Sequence, residues 1–191
     1  MYSKTVALFL LAATGALASP VAPAAPAAPI AARAVDPDLR IINTNTLPNG
    51  DVVEIWGRTP EAHARAVAEE AARTLDARAN SCASGTITPK CDSKNGGGSS
   101  NCLSLISLLQ QFPTQSLNGG TQVCYTGTGE PCCTKSNRAI SNLQYGDFTA
   151  NAQTMYQTCP GSSGVSGKMF GVNFFAGNCG NQCMNNGHNC A

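Results

Sequence analysis

The residues best equipped for chemistry are ten cysteines, two histidines and a thin set of carboxylates. The cysteines are Cys82, Cys91, Cys102, Cys124, Cys132, Cys133, Cys159, Cys179, Cys183 and Cys190, and none precedes position 82. In an oxidising compartment an even set of this kind cross-links, so five disulfides are expected, with a pairing that spacing does not fix. Cys132 and Cys133 are adjacent, and on a strand they point to opposite faces, so each is expected to take a different partner. The tail Cys179, Cys183, His188, Cys190 superficially resembles a zinc set. Its spacing fits no standard knuckle, and oxidation accounts for the thiols.

Nucleophilic catalysis pairs a Ser or Cys with a histidine base. After Cys82 the chain offers only His188, inside the polar run Asn185-Asn186-Gly187-His188-Asn189, where a solvated imidazole is expected. Glycoside hydrolysis needs two carboxylates across the bond. Asp92, Glu130 and Asp147 are the only carboxylates in that part; Asp147 suits a helix cap, and the other two sit in Gly-rich loops. No catalytic residue, cofactor or metal is therefore expected, and the chain reads as non-enzymatic. Tyr125, Tyr145, Tyr156, Phe170, Phe174 and Phe175 could line a carbohydrate-binding surface. Tyr156 and Phe170 fall at periodic positions and read as core. Phe174 and Phe175 are neighbours on an extended segment and cannot both face inward, which makes them the candidate contact surface.

The elements that must position these residues follow from local pattern. In the Cys-rich part, Cys102, Leu105, Ile106, Leu109 and Phe112 share one helix face that Pro113 ends, after a loop Asn95–Ser100 expected to supply the cap. A second helix is expected from Gly146-Asp147, with Asp147 as its N-cap and Phe148, Ala152, Met155, Tyr156 and Cys159 on one stripe. Strands are expected at 121–126, 131–134 and 164–172, the first two joined by a Gly-rich hairpin loop. Ahead of the cysteines, 40–47 and 52–56 read as strands around the turn Pro48-Asn49-Gly50-Asp51. Thr59-Pro60-Glu61 then opens a helix with an apolar face of Val67, Ala71 and Leu75, ending near Ala79. The fold class is α+β: a small disulfide-rich two-layer α/β sandwich, an antiparallel sheet with two main helices, preceded by a β-hairpin plus helix segment.

Residues 1–18 read as a signal peptide: Lys4, then the apolar run Val6–Ala12, then a small-x-small site at Ala16-Leu17-Ala18. The run is too short to span a bilayer, which takes roughly 20 residues, so export, an extracellular location and no transmembrane segment are expected. Residues 19–35 form an Ala/Pro-rich linker. The Cys-free segment 36–81 carries eight acids against five bases, and the disulfide-rich domain 82–191 carries three acids against five bases. That contrast suits a pro-region folding on a mildly basic domain. A net charge of +1 with only 12% charged residues excludes a nucleic-acid binder, which needs a basic face.

Cys124-Tyr125, Cys132-Cys133, Gly146-Asp147, Cys159, Gly164-Val165-Ser166-Gly167 and the tail Cys179-x3-Cys183…Cys190 together resemble fungal secreted Cys-rich proteins with a WD-like domain. The segment Leu47–Glu54 is similar to what precedes that domain, so the resemblance covers most of residues 45–190. Thr134-Lys135-Ser136-Asn137 departs from it, standing where an aromatic stretch would follow the cysteine pair. A looser similarity, carried by the second helix and Val165-Ser166-Gly167-Lys168-Met169, is to fungal killer toxins and necrosis-type effectors. The resemblance carries no defined activity; export, dense disulfides, an acidic candidate pro-region and absent catalytic residues point to a monomeric, secreted, toxin-like or effector-like protein whose partner is an extracellular protein, a wall polysaccharide or a membrane target. The alternative is a wall- or polysaccharide-binding module, and a small hydrolase stands third.

Overall fold

The computed structural model describes residues 39–76, 82–83, 85–174 and 177–187. The expected export signal, the expected Ala/Pro-rich linker, the expected helix end at Ala79, Phe175, His188 and Cys190 lie outside the described residues.

Nine strands and three helices are described in the order β1 (Arg40–Thr46), β2 (Val52–Gly57), α1 (Pro60–Asp76), β3 (Lys90–Cys91), α2 (Ser99–Gln111), β4 (Gly120–Thr126), β5 (Cys132–Ser136), α3 (Tyr145–Thr158), β6 (Pro160–Gly161), β7 (Gly164–Val165), β8 (Gly167–Asn173) and β9 (Cys179–Asn185). Seven strands form one sheet, β1-β2-β4-β5-β9-β8-β3, with every neighbour antiparallel; β6 and β7 form a separate two-stranded ribbon. The class is thus α+β, as the alternation of helix and strand patterns implies.

Register assigns the faces. Val53, Ile55, Val123, Tyr125, Cys132 and Met184 line one side of the sheet. Against them α2 presents Cys102, Leu105, Ile106 and Leu109, and α3 presents Phe148, Ala152 and Met155, in one buried cluster. The polar Gln182 of β9 also points to this side and is fully buried. Its amide donates to Thr134 Oγ1 at 3.0 Å and to the Phe148 carbonyl at 2.9 Å, and its oxygen accepts from Asn151. Burying an amide is tolerable when its polar atoms are paired in this way. The opposite side carries Glu54, Trp56, Gln122, Cys124 and Cys133, all buried too, with Leu39 packed against Trp56 and the cysteines.

Four cross-links are described: Cys82–Cys179, Cys91–Cys159, Cys102–Cys132 and Cys124–Cys133. Cys183 is disulfide-bonded as well. The adjacent pair splits as strand geometry requires. Cys132 faces the helices and bonds to α2, while Cys133 faces the other way and bonds to β4 across the ladder.

Local details correct three expectations. The loop Asn95–Ser100 gives α2 no side-chain cap; its N-cap is Gly98. The glycines serve close approach instead, since a Cβ on Gly97 would sit 3.0 Å from both sulfurs of the Cys102–Cys132 bond. Asp147 is not the cap of α3 but its third residue, in a reciprocal capping box with Gln144. The expected strand 164–172 is broken at Ser166 into β7 and β8.

The hairpin β1–β2 is no separate prefix. It lies at one edge of the main sheet, with β2 paired along β4 from Val52↔Thr126 to Gly57↔Gly120. Its turn is anchored as well, because the Tyr125 hydroxyl donates to Asp51 Oδ2 at 2.5 Å. Helix α1 is different: none of residues 60–69 is buried.

Candidate binding cleft

The aromatic candidates trade places. Phe174 is 3% exposed and meets Phe148 edge-on, ring centroids 5.8 Å apart, so it is a core residue and not a contact surface. The cause is its register: Phe174 N–H donates to the Asn178 carbonyl, which turns the chain from β8 into β9 and holds the ring under the sheet. Phe170, expected in the core, is 45% exposed with the Lys168 ammonium 5.1 Å from its ring centre. Phe112 is also exposed, one residue past α2. Tyr156 keeps its place against the core, half-buried.

The three carboxylates of the Cys-rich part stand on different elements. Asp92 follows β3 and accepts from the Lys94 backbone N–H. Glu130 sits in the β4–β5 loop, whose backbone is held by the buried Asn101 amide. Asp147 is engaged in the α3 capping box. Among the described residues no group of three or more His, Cys, Asp or Glu is placed to hold a metal ion.

What the fold does build is an open cleft of about 700 Å³ where the hairpin meets the Cys-rich domain. Arg40 opens β1 and Arg58 follows β2; Arg40 pairs with Gly57 across the ladder, so both arginines come from the same end of the hairpin. His63 enters from the first turn of α1, which is started by Thr59: its hydroxyl accepts from Ala62 N–H at 3.1 Å and its carbonyl accepts from His63 N–H at 2.7 Å. The other wall is two tight turns, around Asn118-Gly119 and Ser141-Asn142. Asn118 (φ 49°) and Asn142 (φ 60°) both occupy the left-handed region, which asparagine tolerates better than most residues. Leu117 N–H donates to the Leu143 carbonyl at 2.9 Å and locks the turns side by side.

The electrostatics of this cleft are one-sided. Among the described residues no carboxylate lines it. Glu61 stands nearby and fully exposed, its carboxyl held below the ordinary value by its own backbone N–H, then by the Thr59 hydroxyl, with Arg40 and Arg65 adding to the effect. Burial, reinforced by the Arg58 charge, lowers the His63 pKa, so the imidazole is neutral at pH 7. Its Nδ1 is buried without a hydrogen-bond partner among the described residues. Cationic forks, an unpaired imidazole nitrogen, amides and hydroxyls can together bind an anion or a polyhydroxylated ligand. Sequence reading missed this site because its two walls lie 53 to 102 positions apart (His63 to Ser116, Arg40 to Asn142), and lone arginines and asparagines carry no local signal. A smaller, more apolar groove of about 330 Å³ runs between the hairpin and α2, past Val53, Ile55, Leu108, Phe112 and Tyr145.

No helix among the described residues is long and apolar enough to cross a membrane. No curated protein and no solved structure matches the chain. A family model described as fungal WD-like matches residues 65–191.

Proposed function

The chain belongs to the fungal WD-like family, and we propose that it is a secreted, non-enzymatic protein of the toxin or effector kind that acts outside the cell by binding a target. The observation that carries this reading is the cross-linking: all nine described cysteines are oxidised, and the bonds join both Cys-rich helices to the sheet. Disulfides persist outside the cytosol and each adds about 2–4 kcal/mol by restricting the unfolded chain, which suits a protein working among extracellular proteases. The export signal at 1–18 supports the same location. The looser sequence similarity to killer toxins and necrosis-type effectors supports the same reading as an analogy at the level of fold.

The test is to apply purified secreted protein to target cells, native and after reduction with alkylation. A toxin or effector that works by binding shows a saturating response at amounts comparable to its receptor, lost on reduction. A response sustained when target molecules outnumber the protein a thousandfold means turnover and sinks the non-enzymatic reading.

The second reading is a wall- or polysaccharide-binding module. The cleft between the hairpin and the asparagine turns favours it; the exposed Phe170 stands on β8, toward the other edge of the sheet, and is not part of that cleft. Pull-down with insoluble chitin and glucan tests it. Retention on either, or on an immobilised acidic polysaccharide, supports the module, and passage through all three removes it.

A further inference from the structure

We propose that the cleft between the hairpin and the two asparagine turns binds an acid-bearing sugar, its carboxylate on the guanidiniums of Arg40 and Arg58 and its hydroxyls on the Asn118, Ser141 and Asn142 side chains. The inference rests on the polysaccharide-binding reading and specifies the ligand and the residues.

Three observations lead to it. First, the cleft is about 700 Å³, which is far more than one small anion fills and within the range that ligand sites occupy. Second, its charge has one sign: two arginines line it and, among the described residues, no carboxylate does. A guanidinium matches a carboxylate with two parallel N–H donors, a geometry that an ammonium lacks. Third, the wall facing the arginines carries amides and hydroxyls on Ser116, Asn118, Ser141 and Asn142, beside Pro60 and the Ile41–Ile42 pair as the apolar part. A neutral apolar ligand would leave those polar groups unpaired, whereas sugar hydroxyls both donate to and accept from them. His63 fits the same ligand. Its ring lies against Gly119, where an added Cβ would stand 3.8 Å from the imidazole, and its buried Nδ1 has no partner among the described residues.

The site is also composite. The arginines and the histidine come from residues 40–63, ahead of the family match at 65–191, and the asparagine turns come from within it. The hairpin therefore gives this chain a site that the matched domain alone does not hold.

The experiment uses the full secreted chain on immobilised polygalacturonate, with insoluble chitin and glucan as neutral matrices. Retention on polygalacturonate is expected, released by soluble galacturonate oligomers but not by equal concentrations of inorganic phosphate or sulfate. Arg40→Ala with Arg58→Ala is expected to weaken binding at least tenfold in a chain that circular dichroism shows to be folded. The double lysine variant keeps the charge but loses the fork, and is expected to fall between. If the alanine pair fails to fold, Asn118→Gly and Asn142→Gly decide: glycine preserves the left-handed turn and removes only the amide, so a loss of several-fold is expected. Unchanged binding by the arginine variants, or by the glycine pair where those do not fold, overturns the site. Release by phosphate as easily as by galacturonate makes it a general anion cleft and overturns the sugar. Retention on chitin or glucan but not on polygalacturonate overturns this inference and leaves the polysaccharide reading standing; retention on none removes both.

Discussion

Glu54 is a carboxylate only 4% exposed on the sheet face away from the helices, where Trp56 Nε1–H donates to its Oε2 at 3.0 Å. Burial raises its pKa above the ordinary 4.5, and the Trp56 bond only partly opposes this. The folded state therefore holds the proton more tightly than the unfolded chain does. The stabilisation so gained is complete below about pH 4.5 and is lost as pH rises through the folded value. Glu54→Gln keeps an oxygen for Trp56 and removes the charge. It is expected to raise the melting temperature at pH 7 and to change it little at pH 4, which thermal melts at both values check. Tyr125 makes the opposite kind of contact, a buried hydroxyl donating to Asp51 Oδ2. Tyr125→Phe is expected to destabilise by about 1.5 kcal/mol in a denaturant titration, the low end for a bond to a charged group, because Asp51 still accepts from the Asn49 amide. Neither contact was legible beforehand. Glu54 lies on a strand that alternation half-exposes, and the Tyr125 partner is 74 positions away.

The elements were more legible than their caps and edges. Helices α2 and α3 and strands β1, β2, β4 and β5 follow from periodic apolar residues and from turn chemistry, including Gly50 at φ +85° in the hairpin turn. Strand β9 did not show itself, although it runs through the middle of the sheet between β5 and β8. Its sequence, Cys-Gly-Asn-Gln-Cys-Met-Asn, has no apolar alternation and little β propensity; two neighbouring strands and buried cysteines hold it extended. The disulfides differ in what they restrain. Cys102–Cys132 closes 30 residues and ties α2 to the sheet, while Cys124–Cys133 closes only 9 between hairpin neighbours. Loop entropy then predicts losses of about 3.6 and about 2.6 kcal/mol for the two double-alanine variants. Denaturant midpoints should keep that order, and a larger loss for the short loop would mean native packing, not chain entropy, dominates.

At the scale of the molecule, the acidic segment 36–81 looked separable, and its hairpin is joined to the sheet through core residues. Val53, Ile55 and Trp56 are each no more than 5% exposed, yet no cysteine precedes Cys82 to bind the hairpin covalently. Cleavage in the exposed part of α1 is therefore expected to leave both pieces together on gel filtration in native buffer and to part them in denaturant without reductant. Separation in native buffer would show that strand pairing alone does not hold the hairpin. The intact mass of the protein as its cells produce it, read before and after reduction and alkylation, complements this. Ten thiols that alkylate only after reduction are expected, and the starting residue shows whether 36–81 belongs to the working protein.

By itself the sequence determined what depends on neighbours along the chain or on composition. The amphipathic stripes of α2 and α3 were readable, as were the hairpin turn and the oxidised cysteine set. The opposite orientation of Cys132 and Cys133 followed from strand geometry alone. The tertiary structure decided what depends on distant segments meeting. It set which cysteine pairs with which, the place of β9, and the burial of Phe174 beside the exposure of Phe170. It also brought Arg40, Arg58 and His63 against the turns at Asn118 and Asn142. Local preferences act over one or two turns of chain, whereas a cleft between two segments exists only once burial of the shared core has fixed their register.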